Sequence, residues 1–132
     1  MNALHNTEQL RGQLRFKEPM SKHTSWRVGG PVDRFYQPAN IDDLVLFIKS
    51  TPATDPLYWL GLGSNLLVRD GGIRGTVIAT SGVLNGLALV ADDRVRAEAG
   101  VASAKLARFS VQQRLTGAEF LAGIPGTIGG AL

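Results

Sequence analysis

The chain has 132 residues, of which 44% are hydrophobic and 19% are charged, enough apolar material for one ordinary domain or two small lobes. Cysteine is absent and there are only two histidines, which excludes disulfides, zinc–thiolate sites, cysteine nucleophiles and a histidine-based metal site. The net charge of +3 comes from scattered basic residues, which argues against the concentrated basic stripe of a nucleic-acid-binding protein.

The N-terminal stretch carries His5, Glu8 and Arg11 among its apolar residues, so it lacks the uninterrupted apolar run of a secretory signal. The longest apolar runs, such as residues 44–48, are far shorter than the roughly 20 residues that a membrane span requires. We therefore expect a soluble, cytoplasmic protein without a membrane partner or a nucleic-acid partner.

The first half of the chain is predicted to alternate between strands and one clear helix. Residues 7–14 are predicted as a short helix, 15–22 as irregular around a proline, and 24–31 as a strand-like start that runs into Gly-Gly-Pro. Residues 33–37 have a strand composition. Asn40 is a favourable N-cap and two aspartates follow it, which predicts a helix over residues 41–50.

The second half is predicted to contain mainly strands. These cover residues 57–60, 75–79, 84–90 and 94–99, with a hairpin turn at 91–93. Ser103 is predicted to cap a helix that ends at Thr116 and Gly117. The pattern predicts an α+β fold.

A first glycine-rich loop, Gly61-Leu62-Gly63-Ser64-Asn65, follows the predicted strand at 57–60. It differs from the dinucleotide fingerprint because the position of the third glycine holds Leu66, and residues 66–72 are too short and too interrupted for a Rossmann helix. A Walker A loop is excluded because no Gly-Lys-Ser/Thr follows. Two interpretations remain open: a nest of amide groups around a phosphate, or a tight turn between strands.

A second glycine-rich loop spans residues 123–131, where the sequence stops one residue later. Its proline and branched apolar residues, interleaved with glycine, indicate a stiff apolar wall with exposed N–H groups. Such a wall suits a planar heteroaromatic ring joined to a diphosphate. The alternative is a flexible linker, but the two large apolar residues Ile124 and Ile128 are unusual in such a linker.

Four ordered motifs carry a family resemblance. They are residues 24–31 (TSWRVGGP), 61–68 (GLGSNLLV), 99–100 (AG) and 117–131 (GAEFLAGIPGTIGGA). Together they closely resemble the UDP-N-acetylenolpyruvoylglucosamine reductase family of bacterial peptidoglycan synthesis, from about residue 18 to the end. The order and intervals of the four motifs are far more specific than either glycine loop alone.

The resemblance implies a flavoprotein fold of the vanillyl-alcohol-oxidase or PCMH type, with two small α+β subdomains of which the second is truncated. The implied division is an N-terminal extension at 1–19, a first FAD-binding subdomain at 20–72, and the start of a second at 73–132, without the substrate domain. In the family, NADPH reduces FAD, hydride passes from the flavin to the enolpyruvyl group of UDP-N-acetylglucosamine enolpyruvate, and a serine protonates the adjacent carbon to give UDP-N-acetylmuramate.

Carried over by motif, the resemblance assigns two sets of cofactor-binding residues. The first set would surround the FAD diphosphate and the second would line the flavin from the other subdomain: Gly61, Leu62, Gly63, Ser64, Asn65 and Leu66; Gly123, Ile124, Pro125, Gly126, Thr127, Gly129, Gly130 and Ala131. Residues 26–30 lie near the cofactor or have a structural role. Glu119 matches the motif, but a buried or capping carboxylate is favoured over a catalytic one.

No catalytic residue is assigned in this chain. The resemblance implies that the catalytic serine, its paired glutamate and an arginine belong to segments after the second loop, so we expect the 132 residues alone to be inactive. An alternative hypothesis is a stand-alone flavin- or nucleotide-binding module without reductase activity. A basic nucleic-acid-binding domain is the least favoured alternative.

Overall fold

A four-stranded sheet organises the first part of the computed structural model, which describes residues 9–132. Its strands are β1 (Gln13–Pro19), β2 (Pro31–Gln37), β3 (Leu57–Leu60) and β4 (Ile73–Ala79), in the order β1-β2-β4-β3. Strand β1 is antiparallel to β2, whereas β2, β4 and β3 are mutually parallel. The carboxyl ends of three strands therefore meet at one edge of the sheet.

Helix α1 (Ile41–Ser50) connects β2 to β3, as predicted. The side chain of Asn40 accepts a hydrogen bond of 2.9 Å from the N–H of Asp43, which satisfies one of the free donors at the helix N-terminus. The next connection, residues 61–72, returns the chain from the end of β3 to the start of the parallel strand β4 without a helix. This confirms the prediction that no Rossmann helix follows the first glycine loop.

The remaining elements form a separate small group. Strands β5 (Leu87–Ala91) and β6 (Arg94–Ala97) make an antiparallel hairpin, and helix α2 (Ser103–Gln112) follows. A 3-10 helix (Glu119–Gly123) and a short helix α3 (Ile128–Ala131) complete the described chain. The mixture of strands and helices confirms the α+β class.

The two faces of the four-stranded sheet bury separate clusters of apolar side chains. Phe35 and Val77 lie in one cluster with Val68, which comes from the 61–72 connection. Tyr36 and Ile78, the next residues along the same strands, lie in the other cluster with residues of α1. The alternation of strand side chains thus places the glycine loop on one face and α1 on the opposite face.

The predictions for residues 7–22 were wrong where the structure describes them. Residues 13 and 14, predicted as the end of a helix, belong to β1, and most of the predicted irregular stretch continues this strand to Pro19. Pairing with β2 at six positions stabilises the strand more than the local sequence favours a helix or an irregular segment. Pro19 is tolerated because it is the last residue of an edge strand. Residues 7 and 8 of the predicted helix lie outside the described residues.

Other boundaries also differ from the prediction. Residues 24–30 form a turn-rich loop rather than the start of a strand, and β5 begins at Leu87 instead of Leu84. Ser103 is the first residue of α2 and does not cap it; Ala102 holds the N-cap position. The helix ends at Gln112, several residues before Gly117, because Arg114 adopts a left-handed conformation with φ of 58°.

The positions of β1 and β4 disagree with the expected subdomain boundaries at residues 19 and 72. Both belong to the same sheet as β2 and β3. We therefore propose that the first subdomain runs through Ala79 and includes β1, in place of boundaries at 19 and 72. The second would begin with the segment that leads to β5.

A buried carboxylate joins three segments at the start of α1. The Asp43 side chain is fully buried and accepts hydrogen bonds from the Tyr36 hydroxyl at 2.6 Å and from the N–H groups of Ala39 and Arg11, each at 2.8 Å. Burial alone would raise the pKa of Asp43, but these hydrogen bonds together hold it below its usual range. Burial and the adjacent carboxylate raise the pKa of Tyr36.

Candidate functional site

Both predicted loops line one cavity of about 690 Å³, which we call the loop cavity. All six predicted residues of the first loop, 61–66, contribute to its wall. The second loop contributes all its predicted residues except Gly123 and Gly129. Gly123 ends the 3-10 helix, and Gly129 packs against Ala99, to whose carbonyl oxygen it donates a hydrogen bond of 2.9 Å. The structure thus brings together 12 of the 14 predicted residues around one space.

The first loop presents unused hydrogen-bond donors. Within the described residues, none of the N–H groups of residues 61–66 donates a hydrogen bond to another protein group. Gly63 has φ of +74°, a conformation that side-chain-bearing residues rarely adopt. A run of free amide groups around a glycine with positive φ is the arrangement that binds anions in backbone nests. The geometry therefore favours the phosphate-binding interpretation over a turn alone.

Thr127 supplies a buried hydroxyl to the same cavity. Its side chain is only 4% exposed, and its Oγ1 has no hydrogen-bond partner among residues 9–132. A Cβ placed at Gly61 would lie 2.5 Å from this oxygen, so the absence of a side chain at position 61 leaves the space in front of the hydroxyl open. Because an unpaired buried hydroxyl is costly, this oxygen is suited to a ligand.

The second loop is held by the segment that precedes α2. The N–H of Ser103 donates to the carbonyl of Gly126 at 3.0 Å, and the N–H of Ile128 donates to Val101 at 2.8 Å. Gly126 has φ of +96°, and a Cβ there would lie 3.4 Å from the Ser64 hydroxyl of the first loop. The loop is therefore an ordered wall rather than the flexible linker considered above.

A second cavity of about 700 Å³ lies at the carboxyl edge of the parallel strands. We call it the cationic cavity, since two cations, Lys22 and Arg27, line it beside His23 and none of the described residues in its lining is acidic. His23 stacks on Phe35 with ring centroids 4.2 Å apart, and its Nε2 lies 2.9 Å from Glu18. The hydrogen bond with His23 contributes most to lowering the pKa of Glu18.

The motif at residues 24–31 donates backbone hydrogen bonds to the first loop and to the segment that follows it. The N–H of Ser25 donates to the carbonyl of Gly63 at 3.0 Å, and the N–H of Gly30 donates to Arg69 at 3.0 Å. A Cβ at Gly30 would overlap the carbonyl of Asp70. The glycines of this motif therefore serve close packing, whereas Arg27 faces the cationic cavity.

A third cavity of about 560 Å³, the apolar cavity, was missed by sequence reasoning. Leu44, Leu84 and Trp59 contribute to its lining, and Trp59 also lines the loop cavity. The Trp59 side chain is 58% exposed. In the sequence, the only sign of this cavity is Trp59, two positions before Gly61. A tryptophan is equally expected there as an ordinary strand residue, because residues 57–60 have a strand composition.

Glu119 behaves as a local cap. Its Oε2 accepts a hydrogen bond of 2.7 Å from the N–H of Gly117, just before the 3-10 helix, as the capping interpretation predicts.

Among residues 9–132, no group of three potential ligands is arranged to hold a metal ion. Nor does this part of the chain contain a helix with the length and apolarity needed to cross a membrane. The groups that the loop cavity offers to a ligand are the free N–H groups of the first loop and the Thr127 hydroxyl.

Comparison with known proteins identifies a family. Residues 32–132 match the family model described as an FAD binding domain. This segment contains both glycine loops, three strands of the first sheet (β2, β3 and β4) and the β5–β6 hairpin. The matched segment is more than half of the chain.

Curated relatives are similar over nearly the whole chain. The UDP-N-acetylenolpyruvoylglucosamine reductase of Legionella pneumophila (strain Corby) is 57% identical over 132 residues, which are 100% of this chain and 42% of the relative. The reductase of the same name from Nitrosococcus oceani is 62% identical over 123 residues, which are 93% of this chain and 41% of the relative. The chain therefore spans about two-fifths of the length of these relatives.

A solved structure has the same fold. The crystal structure of UDP-N-acetylenolpyruvylglucosamine reductase from Thermus caldophilus superposes with a TM-score of 0.61 at 28% sequence identity, covering 92% of this chain and 41% of that one. This match agrees with the family assignment and with the flavoprotein fold expected from the motifs. The chain belongs to the FAD-binding domain family.

Proposed function

We propose that this chain binds FAD and forms the N-terminal FAD-binding portion of a reductase that converts UDP-N-acetylglucosamine enolpyruvate to UDP-N-acetylmuramate with NADPH as hydride donor. The observation that carries the proposal is the loop cavity, where both predicted loops meet. The reductase names and high identities of the relatives support the substrate class. We also propose a cytoplasmic location, where such a sugar-nucleotide substrate would be available.

The residues of the cavity fit FAD. The free N–H groups of residues 61–66 match the charged oxygens of a diphosphate, and hydrogen bonds to charged groups contribute about 1.5–3 kcal/mol each. Gly61 leaves room for close approach, and the buried Thr127 hydroxyl gains a partner. When bound, FAD would supply hydride transfer; the residues of this chain bind and orient it.

The direct test is cofactor retention. The purified 132-residue chain is expected to bind FAD in a near one-to-one ratio, with flavin absorbance that survives desalting. Circular dichroism would establish that the sample is folded. A folded chain that remains colourless and does not take up added FAD would contradict the proposal.

Activity is expected only in a longer protein. NADPH oxidation that depends on the enolpyruvyl substrate should be absent from this chain and present in a chimera that joins it to the remaining segment of the Legionella pneumophila reductase. A chimera that binds FAD but stays inactive, while the full-length relative is active, would favour the stand-alone flavin-binding module.

Thr127→Val tests the buried hydroxyl. Valine has nearly the same shape but no oxygen, so the variant without ligand is expected to be as stable as the wild type or more stable, by up to about 1 kcal/mol. Its FAD dissociation constant is expected to rise about tenfold, because a charge-assisted hydrogen bond is lost. Thermal unfolding and FAD titration measure the two effects. Thr127→Ser should bind like the wild type; lower stability with unchanged affinity would contradict the assignment.

A further inference from the structure

Gly61 lies where three cavities meet. It belongs to the lining of the loop cavity, the cationic cavity and the apolar cavity. A ligand with a charged centre and a different group on each side could therefore place its centre at Gly61 and its two ends in the flanking cavities. FAD has this construction, with the diphosphate between an adenosine and a flavin.

The two flanking cavities differ in chemistry. The apolar cavity is lined mainly by carbon, with Leu44 and Leu84 among its walls, and its two charged lining residues, Arg96 and Glu98, have opposite signs. The exposed Trp59 lines both this cavity and the loop cavity. The cationic cavity instead offers Lys22 and Arg27 together with neutral donors such as Ser25. One cavity suits an uncharged planar ring, and the other suits a ring that carries negative charge.

We propose that Trp59 is the platform on which the adenine ring of the bound dinucleotide stacks, at the mouth of the apolar cavity. This inference rests on the proposed function and deepens it. The purine stays uncharged whether FAD is oxidised or reduced, whereas the flavin gains negative charge on reduction. Stacking on an aromatic side chain requires an exposed face, which Trp59 has at 58% exposure. The diphosphate then lies along the first loop, and the flavin lies toward the cationic cavity.

The opposite orientation is disfavoured by charge. A reduced flavin gains negative charge in its pyrimidine half, and positive groups nearby favour that state. Lys22 and Arg27 form no ion pair with another described residue. Placing the flavin in the apolar cavity would give it one cation, Arg96, together with the opposite charge of Glu98, in place of two cations, and would leave the adenine beside Lys22 and Arg27.

Trp59→Ala provides the test, with FAD and FMN as the two probes. FMN has the flavin and one phosphate but lacks the adenosine. Loss of one base–aromatic stack by alanine substitution costs about 1–3 kcal/mol, so the FAD dissociation constant is expected to rise about tenfold or more. The FMN dissociation constant is expected to stay unchanged. Trp59→Phe keeps an aromatic face and should remain within about threefold of the wild type for both probes.

Phe16→Ala is the matched control. Phe16 lies on β1 outside the glycine loops and their supporting motif, is 64% exposed and lines none of the three cavities, so its replacement should change neither affinity. Equal weakening of FAD and FMN in folded Trp59→Ala would overturn the inference, since Trp59 would then contact the flavin half. Unchanged FAD affinity would overturn it as well, while leaving the proposed function intact. If the folded wild type binds neither probe, the proposed function fails and this inference fails with it.

Discussion

Replacing Gly63 by alanine is expected to abolish FAD retention and to lower the free energy of unfolding by about 2–4 kcal/mol. Position 63 has φ of +74°, and a Cβ there would overlap the carbonyl oxygen of His23. The added methyl group would therefore press on the backbone of His23 and Thr24 rather than on the phosphate. Displacement of the loop would misalign its free N–H groups. Thermal unfolding and flavin absorbance after desalting measure the two losses.

Gly82→Ala separates backbone strain from overlap. Gly82 has nearly the same positive φ, +79°, but no other atom of the described part of the chain lies within 4 Å of a Cβ built on it. We expect this control to lose only about 1–2 kcal/mol and to keep FAD. Gly71→Ala, at a position with open space and no positive φ, should be close to neutral. Retention of stoichiometric FAD by Gly63→Ala would contradict the role of the first loop.

Asp43→Asn is expected to cost about 3 kcal/mol of stability at neutral pH, measured by urea unfolding. An asparagine amide would turn donor hydrogens toward N–H groups that now donate to a fully buried carboxylate. Asp42→Asn is the matched control: Asp42 is the adjacent residue of the same helix turn but is exposed, so we expect a loss of less than about 1 kcal/mol. Equal losses of stability in both variants would show that the hydrogen bonds of the buried Asp43 carboxylate do not stabilise the fold.

The same carboxylate predicts a pH dependence. Because the folded-state pKa of Asp43 lies below its unfolded value of about 3.9, its contribution is complete above that unfolded value and is lost as the pH falls through the folded-state pKa. The difference in stability between the wild type and Asp43→Asn should therefore shrink on acidification below about pH 4. A difference that stays constant down to pH 2 would show that the carboxylate charge is not responsible.

Local signals predicted the elements that are stabilised locally. Helix α1 has its N-cap, its acidic first turn and its apolar face all within residues 40–50, and its predicted bounds were confirmed. Strand β3 and the end of β2 were also found where composition predicted them. The two loops were recognised because glycine, proline and small polar residues in a fixed order restrict the backbone strongly.

Elements that depend on distant partners were predicted poorly. Strand β1 exists because β2, more than ten residues away, pairs with it, and no local pattern in residues 13–19 reveals that partner. Ser103 resembles a cap by type, but its N–H is engaged by Gly126, a contact that only tertiary structure provides. The cationic and apolar cavities likewise combine side chains from separated segments, which a linear motif does not display.

The two walls of the loop cavity are hydrogen-bonded to different parts of the chain. Residues 63–72 are tied to the 24–31 motif, whereas residues 126–129 are tied to residues 99–103, and no hydrogen bond among the described residues joins one glycine loop to the other. Without a ligand, the two parts are joined mainly through Leu84, whose side chain packs with Tyr36 and Ile78 and whose carbonyl accepts a hydrogen bond from the N–H of Gly100. A dinucleotide that bridges the two loops would add a second link, so the loaded chain should unfold at a higher temperature and over a narrower range than the empty chain.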